Sequence, residues 1–402
     1  MADVFESMAV CVGSLPAPRR TSKLAAFGAE DWAALSSMAE ELGVLPLLYS
    51  RLKEMGAQAR VPSGVLQRSR QAQIECLGAN TRVLHDLESI FSTLAAQGLG
   101  CIVLKGAHLV SHAYESMAQR RLGADLDLLL RREDIAPAIS TLASLGYETA
   151  EGMDGAKDVT LINQTGRLPV ELHWTIELPG QGIIVDLDGL RERAISFQIG
   201  GIVAAGLSLE DLVLHLCLEA TYHHGNWFQM GFRPLCDLAA LLGRQRNAIQ
   251  WTELSNRASA WGAASLVHMA LWLTHAWAMA DTPEPILKAL EPPGFNPAVL
   301  GMARDLILLQ GRTSDQHLPW ILARMRAPMP LSEKAKIAWR SRRGVRQMAA
   351  LLHKHGATAM RLLRAGGEVA TEADRINTLV DLKQRMEAHC APARRRDSPA
   401  SP

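Results

Sequence analysis

From about residue 100 to 205 the apolar residues of this chain stop recurring every three or four positions and instead alternate or run unbroken. That change of period constrains the fold most, because a helix and a strand bury different subsets of the same sequence. Before it, DWAALSSMAEELGVLPLLYSRLKEM repeats Leu and Ala at helical spacing from Trp32 to Leu52, broken at Gly43 and Pro46. QIECLGANTRVLHDLESIFSTLAAQG continues the pattern until Gly98 and Gly100. After it, Ser208 with Asp211 three residues on forms an N-cap signal, and helical spacing runs from there to about 388. The expected fold is therefore α+β with a small mixed sheet, flanked by N- and C-terminal helical regions and predominantly α overall. The expected divisions are a helical region 1–95, a sheet-bearing core 96–206, a helical region 207–388 and a disordered tail 389–402, where APARRRDSPASP is rich in Pro, Arg and Ser. No internal repeat is evident.

Composition limits the function. With 48% hydrophobic and 21% charged residues in 402, disorder over most of the length is excluded. Lys and Arg number 42 against 41 Asp and Glu, so the whole molecule has no field that would by itself gather nucleic acid or an anionic membrane. The six cysteines include no CxxC pair, which argues against a zinc ribbon or a disulfide framework and fits a reducing cytoplasm. MADVFESMAVCVGSLPA carries Asp3 and Glu6 but no Lys or Arg, the wrong polarity for a secretory signal. Between Arg257 and Asp281 no charged residue occurs, yet Ser259, Ser265, His268, Thr274 and His275 interrupt the run, so a buried helix is expected rather than a membrane span.

Chemistry concentrates in the middle block. CIVLKG reads as a short apolar strand ending in Lys105 and Gly106, followed by a helical AHLVSHAYESMAQ and a second strand, DLDLLL. Side chains alternate along a strand, so Asp125 and Asp127 project from one face while Leu126, Leu128 and Leu130 enter the core. Two adjacent carboxylates repel unless a cation or a partner takes up their charge, and a hard divalent ion with oxygen ligands is the usual solution. PVELHW repeats the design: Val170, Leu172 and Trp174 share one face, Glu171 and His173 the other. If the two strands are neighbours, Glu171 completes a three-carboxylate cluster able to hold two Mg²⁺ about 3.5–4 Å apart. A D-x-D pair also occurs by chance, and Glu171 with His173 could be an exposed polar edge. The joint pattern, with Lys105-Gly106 after a strand and Arg121 four residues before Asp125, is what favours a metal site.

LKGAHLVSHAYESMAQRRLGADLDLLL resembles the signature of the DNA polymerase β-like nucleotidyltransferase superfamily. More closely it resembles the bacterial uncharacterised nucleotidyltransferase family, whose members read as strand-KG-helix, R-x-x-x-D-x-D and a later acid-x-H-W. LGYE, ELHWTI, LEDLVLHLCLEA and RPLCDLAALL extend the likeness over about residues 30 to 245. The resemblance implies a polymerase β-like nucleotidyltransferase core and Mg²⁺-dependent transfer of a nucleoside monophosphate from a nucleoside triphosphate, with release of pyrophosphate. The acceptor, whether small molecule, protein or RNA, is not identified, and no membrane insertion is implied. Carried over, Asp125, Asp127 and Glu171 bind two Mg²⁺. Gly106 lets the backbone approach the triphosphate, and Lys105 and Arg121 supply positive charge to it. His173 orients Glu171 or the acceptor, or is structural. Two departures stand out: Lys105-Gly106 replaces the superfamily's Gly-Ser, and Glu171 replaces the commoner Asp. They leave room for a catalytically weak or inactive nucleotide-binding protein of the same fold.

Other groupings have blander uses. His215, Glu219 and His223 fall at i, i+4 and i+8 of one helical pattern, a spacing that could ligate zinc or, with His224, line an acceptor cleft. Arg233 and Asp237, also i, i+4, suggest a structural ion pair. From Lys334 to Arg364 nine Lys or Arg occur with no acid and with Trp339 among them, which suits an RNA surface, a membrane surface or a solvated helix face. A helical nucleic-acid-binding protein rests on that stretch alone.

Overall fold

The computed structural model describes residues 2–56, 61–123, 125–154, 157–176, 182–223, 226–310 and 385–386. The basic stretch 334–364, His224 and the expected tail 389–402 lie outside the described residues. Backbone contacts divide the described residues into two units. One holds residues up to 220 together with 232–293; the other holds 221–231 and the described residues from 294 onwards.

The first unit opens with helices α1 (Ala2–Val12), α2 (Ala17–Leu24), α3 (Ala29–Glu41), α4 (Leu45–Met55) and α5 (Ser63–Ala96). The expected breaks fall where the chain chemistry demands them. Gly43 takes φ +69 after α3, and Pro46 sits in the first turn of α4, where its missing N–H costs nothing. α5 spans 34 residues, about 50 Å of helix. Its buried residues Cys76, Asn80, Leu87, Ile90 and Leu94 recur at helical spacing and form one stripe.

The sheet follows: β1 (Ile102–Val103), α6 (Ala107–Ala113), β2 (Leu126–Leu129), α7 (Ile135–Ala143), β3 (Tyr147–Asp154), β4 (Asp158–Asn163), β5 (Val170–His173), α8 (Leu187–Glu192), β6 (Ile195–Ile199) and β7 (Ile202–Gly206). Its seven strands run in the order β3-β4-β5-β2-β1-β7-β6. β2 pairs in parallel with β5, and β1 pairs antiparallel with β2 and parallel with β7. The expected mixed sheet is thus present but larger than anticipated: β1, β2 and β5 are the strands read in CIVLKG, DLDLLL and PVELHW, β4 is the β-rich VTLINQ, and β3, β6 and β7 are added. The helix expected from Ala107 to Gln119 stops at Ala113, because Tyr114 turns to extended backbone and its hydroxyl donates to Asp237 at 2.6 Å.

Beyond the sheet lie α9 (Leu209–Thr221), α10 (Arg233–Gln245), α11 (Trp251–Ala260), α12 (Ala264–Ala276) and α13 (Glu284–Leu290). Ser208 caps α9 as expected: the Asp211 N–H donates to its Oγ at 3.3 Å, and its hydroxyl donates to the Asp211 carboxylate at 2.9 Å. α12 is the apolar helix of the uncharged segment. It is 13 residues long, His268 and Thr274 are buried in it, and no helix among the described residues is long and apolar enough to cross a membrane. Phe5 on α1 meets Phe232 and Trp277 edge-on at centroid distances of 5.2 and 5.1 Å, tying the first helix of the unit to its last ones.

The second unit holds a two-stranded ladder of β8 (Tyr222–His223) and β9 (Asn226–Trp227) and the helix α14 (Val299–Gln310). Unbroken helix after 207 is therefore corrected: helical hydrogen bonding ends at Thr221, and His223 sits on a strand. His223 does not continue the row of His215 and Glu219, which removes the i, i+4, i+8 zinc spacing.

Candidate active site

The site is made by register. Asp127 and Glu171 are direct partners across the parallel β2–β5 pair, so their side chains leave the same face of the sheet. On the other side of β5, Asp158 of β4 is the partner of His173. Val170, Leu172, Leu126 and Leu128 are buried and anchor both strands in the core. The alternation seen in the sequence is thereby converted into a polar row, Asp127, Glu171, His173 and Asp158, across three adjacent strands.

Two anchors on α5 set the loops that lead into this row. Asn80 donates to the Met117 and Arg120 carbonyls at 2.6 and 2.8 Å and accepts from the Leu122 N–H at 2.9 Å, fixing the segment before Asp125. Asp86 accepts from the Leu168 N–H at 3.0 Å, fixing the segment before β5. A third anchor comes from α10. Asp237 receives Nε and Nη2 of Arg120 at 3.0 and 2.8 Å together with the Tyr114 hydroxyl. The sequence spacing pairs Asp237 with Arg233; in the structure Arg120 makes the ion pair instead, through a two-point contact.

Within the site, Lys105 Nζ lies 3.5 Å from Asp127 Oδ2 and 3.2 Å from Glu219 Oε2. His173 Nε2 lies 3.1 Å from Asp127 Oδ1 and 3.4 Å from Glu171 Oε2, and its Nδ1 lies 3.5 Å from Asp158 Oδ2. Lys105, Gly106, Leu122, Asp125 and Asp127 line one small pocket. Gly106 takes φ +62, and a Cβ there would stand 2.5 Å from the Leu122 carbonyl oxygen, so glycine is required by the turn itself.

The charges do not balance. Asp125, Asp127, Asp158, Glu171 and Glu219 gather around Lys105, Lys157 and His173, whose pKa burial would lower but the hydrogen bonds to Asp127 and Glu171 raise, so five carboxylates outnumber the cations even with His173 protonated. Burial pushes the Asp125 carboxyl above its ordinary range, and the neighbouring Asp127 charge adds to this against the opposing pull of Lys105. Asp158 is raised by burial as well, although His173 and Lys157 work against it. Burial would also raise Asp127, but Lys105 and the hydrogen bond from His173 outweigh it and hold this acid below the ordinary range. Burial opposes the Lys105 ammonium, yet Asp127, Glu219 and Asp125 hold its pKa well above the usual lysine value.

One ligand atom each from Asp127, Glu171 and His173 lie within 4.8 Å of one another, a separation that one divalent cation can bridge. Surplus negative charge and a convergent oxygen and nitrogen donor set make the residues present a fit for such an ion.

Of the residues expected at the site, Lys105, Gly106, Asp125 and Asp127 share the pocket, and Glu171 and His173 converge on Asp127. Arg121 is exposed, and its charge is felt by Cys76 on α5. The His223 side chain is outside the described residues. Sequence reasoning missed Asp158, Asn80, Asp86 and Arg120. Asp158 opens an alternating strand, a signal that was available; the other three act only through tertiary contacts.

The chain belongs to the uncharacterised nucleotidyltransferase family, whose model matches residues 28–279 and so takes in α3 to α12 and the whole sheet. Comparison with curated proteins and with solved structures returns no match.

Proposed function

We propose that the protein is a Mg²⁺-dependent nucleotidyltransferase that moves a nucleoside monophosphate from a nucleoside triphosphate to an acceptor hydroxyl, amine or phosphate. One observation carries the reading: Asp127 and Glu171 stand opposite each other on paired strands, with Asp125 in the bend just before β2 and lining the same pocket as Asp127. Asp125, Asp127 and Glu171 hold the ions in this scheme. When bound, divalent ions polarise the α-phosphate and neutralise charge on the departing pyrophosphate. Lys105, released from part of its ion pairing, turns to phosphate oxygens, and Arg121 supplies a second positive charge from the exposed side. An acceptor lone pair attacks the α-phosphorus while the bond to the bridging oxygen breaks. Pyrophosphate leaves with that electron pair, and the acceptor proton passes to Glu171. His173 keeps Glu171 oriented through the 3.4 Å contact.

Incubation with each α-labelled nucleoside triphosphate, Mg²⁺ and a lysate of the source organism should label one acceptor, with autolabelling checked in parallel. Absence of label under every condition would count against transfer. The ion pair of Lys105 with Asp127 favours a second reading, a nucleotide-binding protein without turnover. Nucleotide binding without pyrophosphate release distinguishes it.

A further inference from the structure

His173 has more built around it than an orienting role needs. Its side chain is buried, yet Nε2 faces two carboxylates at once, 3.1 Å from Asp127 and 3.4 Å from Glu171. Two donors bound to one ion at about 2.1 Å, subtending roughly 90° to 110°, stand about 3.0 to 3.4 Å apart. The imidazole is therefore spaced from both acids as neighbouring ligands of a single ion are spaced from each other. The far side of the ring follows the same logic. Nδ1 lies 3.5 Å from Asp158 Oδ2 without a hydrogen bond to it, and strand pairing sets that acid directly opposite His173. Without an ion, Nε2 bears the hydrogen shared with Asp127. Ligation through Nε2 requires the proton on Nδ1, where the Asp158 carboxylate stands within reach to take its hydrogen bond, as carboxylates behind metal-bound histidines do.

We infer that His173 is a direct nitrogen ligand, with Asp127 and Glu171, of one divalent ion, and that this mixed donor set favours an ion that accepts imidazole, such as Mn²⁺, over Mg²⁺. The inference rests on the reading of the cluster as a cation site but not on the transfer reaction. Mg²⁺ prefers oxygen donors and near-octahedral water-rich shells, whereas first-row transition ions gain from imidazole. The rival arrangement is a protonated His173 that bridges the two carboxylates, with both ring nitrogens carrying hydrogen and neither able to bind an ion.

The test uses the full chain without nucleotide. Mn²⁺ and Mg²⁺ affinities are measured by calorimetry, and pulsed electron paramagnetic resonance of bound Mn²⁺ reads coupling to a coordinated ¹⁴N. The expected result is ¹⁴N coupling in the wild type, its loss in His173→Gln, and a fall of about tenfold or more in the ratio of Mn²⁺ to Mg²⁺ affinity in that variant. Bound Mn²⁺ without ¹⁴N coupling, coupling that survives His173→Gln, or no Mn²⁺ binding at all overturns it. Circular dichroism checks that the variant folds; should it not, Glu171→Gln must weaken Mn²⁺ binding in the same way, and unchanged binding overturns the assignment. Pyrophosphate release is assayed separately. Transfer without nitrogen coupling would leave the proposed function standing and remove this ligand, and coupling without transfer would do the reverse.

Discussion

Two buried histidines outside the row of Asp127, Glu171, His173 and Asp158 make the stability of this protein sensitive to acid. His108 on α6 is fully buried between His112 and Phe197, and neither of its ring nitrogens has a hydrogen-bond partner. His215 on α9 is buried in the same condition. Burial, reinforced by the neighbouring His112 and His215, lowers the His108 pKa to about 3, and burial lowers that of His215 to about 4 although Glu219 opposes it. Both rings stay neutral in the fold and become protonated in the unfolded chain below about pH 6.5. The unfolded state then binds more protons, so stability is complete above pH 6.5 and is lost as the pH falls toward the folded values. Each histidine contributes a slope of about 1.4 kcal/mol per pH unit, or roughly 2 to 3 kcal/mol between pH 6.5 and 4.5. Against a typical stability of about 5–15 kcal/mol, that is a large share. Replacing His108 by Leu removes one proton-uptake site and two unpartnered nitrogens while keeping a similar volume. Urea unfolding at pH 7.5, 6.5, 5.5 and 4.5 should show the variant losing about 2 to 3 kcal/mol less than the wild type over the acid range. Parallel curves for the two proteins would refute the reasoning.

Three further substitutions probe the anchors of the site. Asn80→Ala strips the partners from two carbonyls and one N–H ahead of Asp125, and urea unfolding should show a loss of about 2 to 3 kcal/mol. Gly106→Ala forces a Cβ toward the Leu122 carbonyl at positive φ, so a thermal melt should fall by several degrees and nucleotide binding measured by calorimetry should weaken. Arg120→Lys keeps the charge but gives up the two-point contact to Asp237, and a lower melting temperature than that of Arg121→Lys is expected because Arg121 is exposed.

The strands that carry the carboxylates were legible in the sequence because their pattern is local. In DLDLLL and PVELHW the acids and the apolar residues take opposite parity, and a neighbouring-strand pairing was all that remained to be found. The register that sets Asp127 against Glu171 could not be read, since it is decided by β1 on one side and β4 on the other. β6 and β7 escaped notice although Gly200-Gly201 marks their hairpin, because ISFQIGGIVAAG is too weakly alternating to separate from its helical neighbours. α6 ended early for a reason that lies 123 residues away, in the hydrogen bond from Tyr114 to Asp237. Asn80 sits within a plain helical stripe, where spacing alone gives a core position and says nothing of the loop it holds.

The most direct test of the account is pyrophosphate release by the wild type and by Asp127→Asn, with each nucleoside triphosphate, with Mg²⁺ or Mn²⁺ and with its acceptor supplied from lysate. The account predicts release that requires the divalent ion and falls to background in a variant whose circular dichroism matches the wild type. Undiminished release by Asp127→Asn, or release that persists in excess chelator, would contradict it.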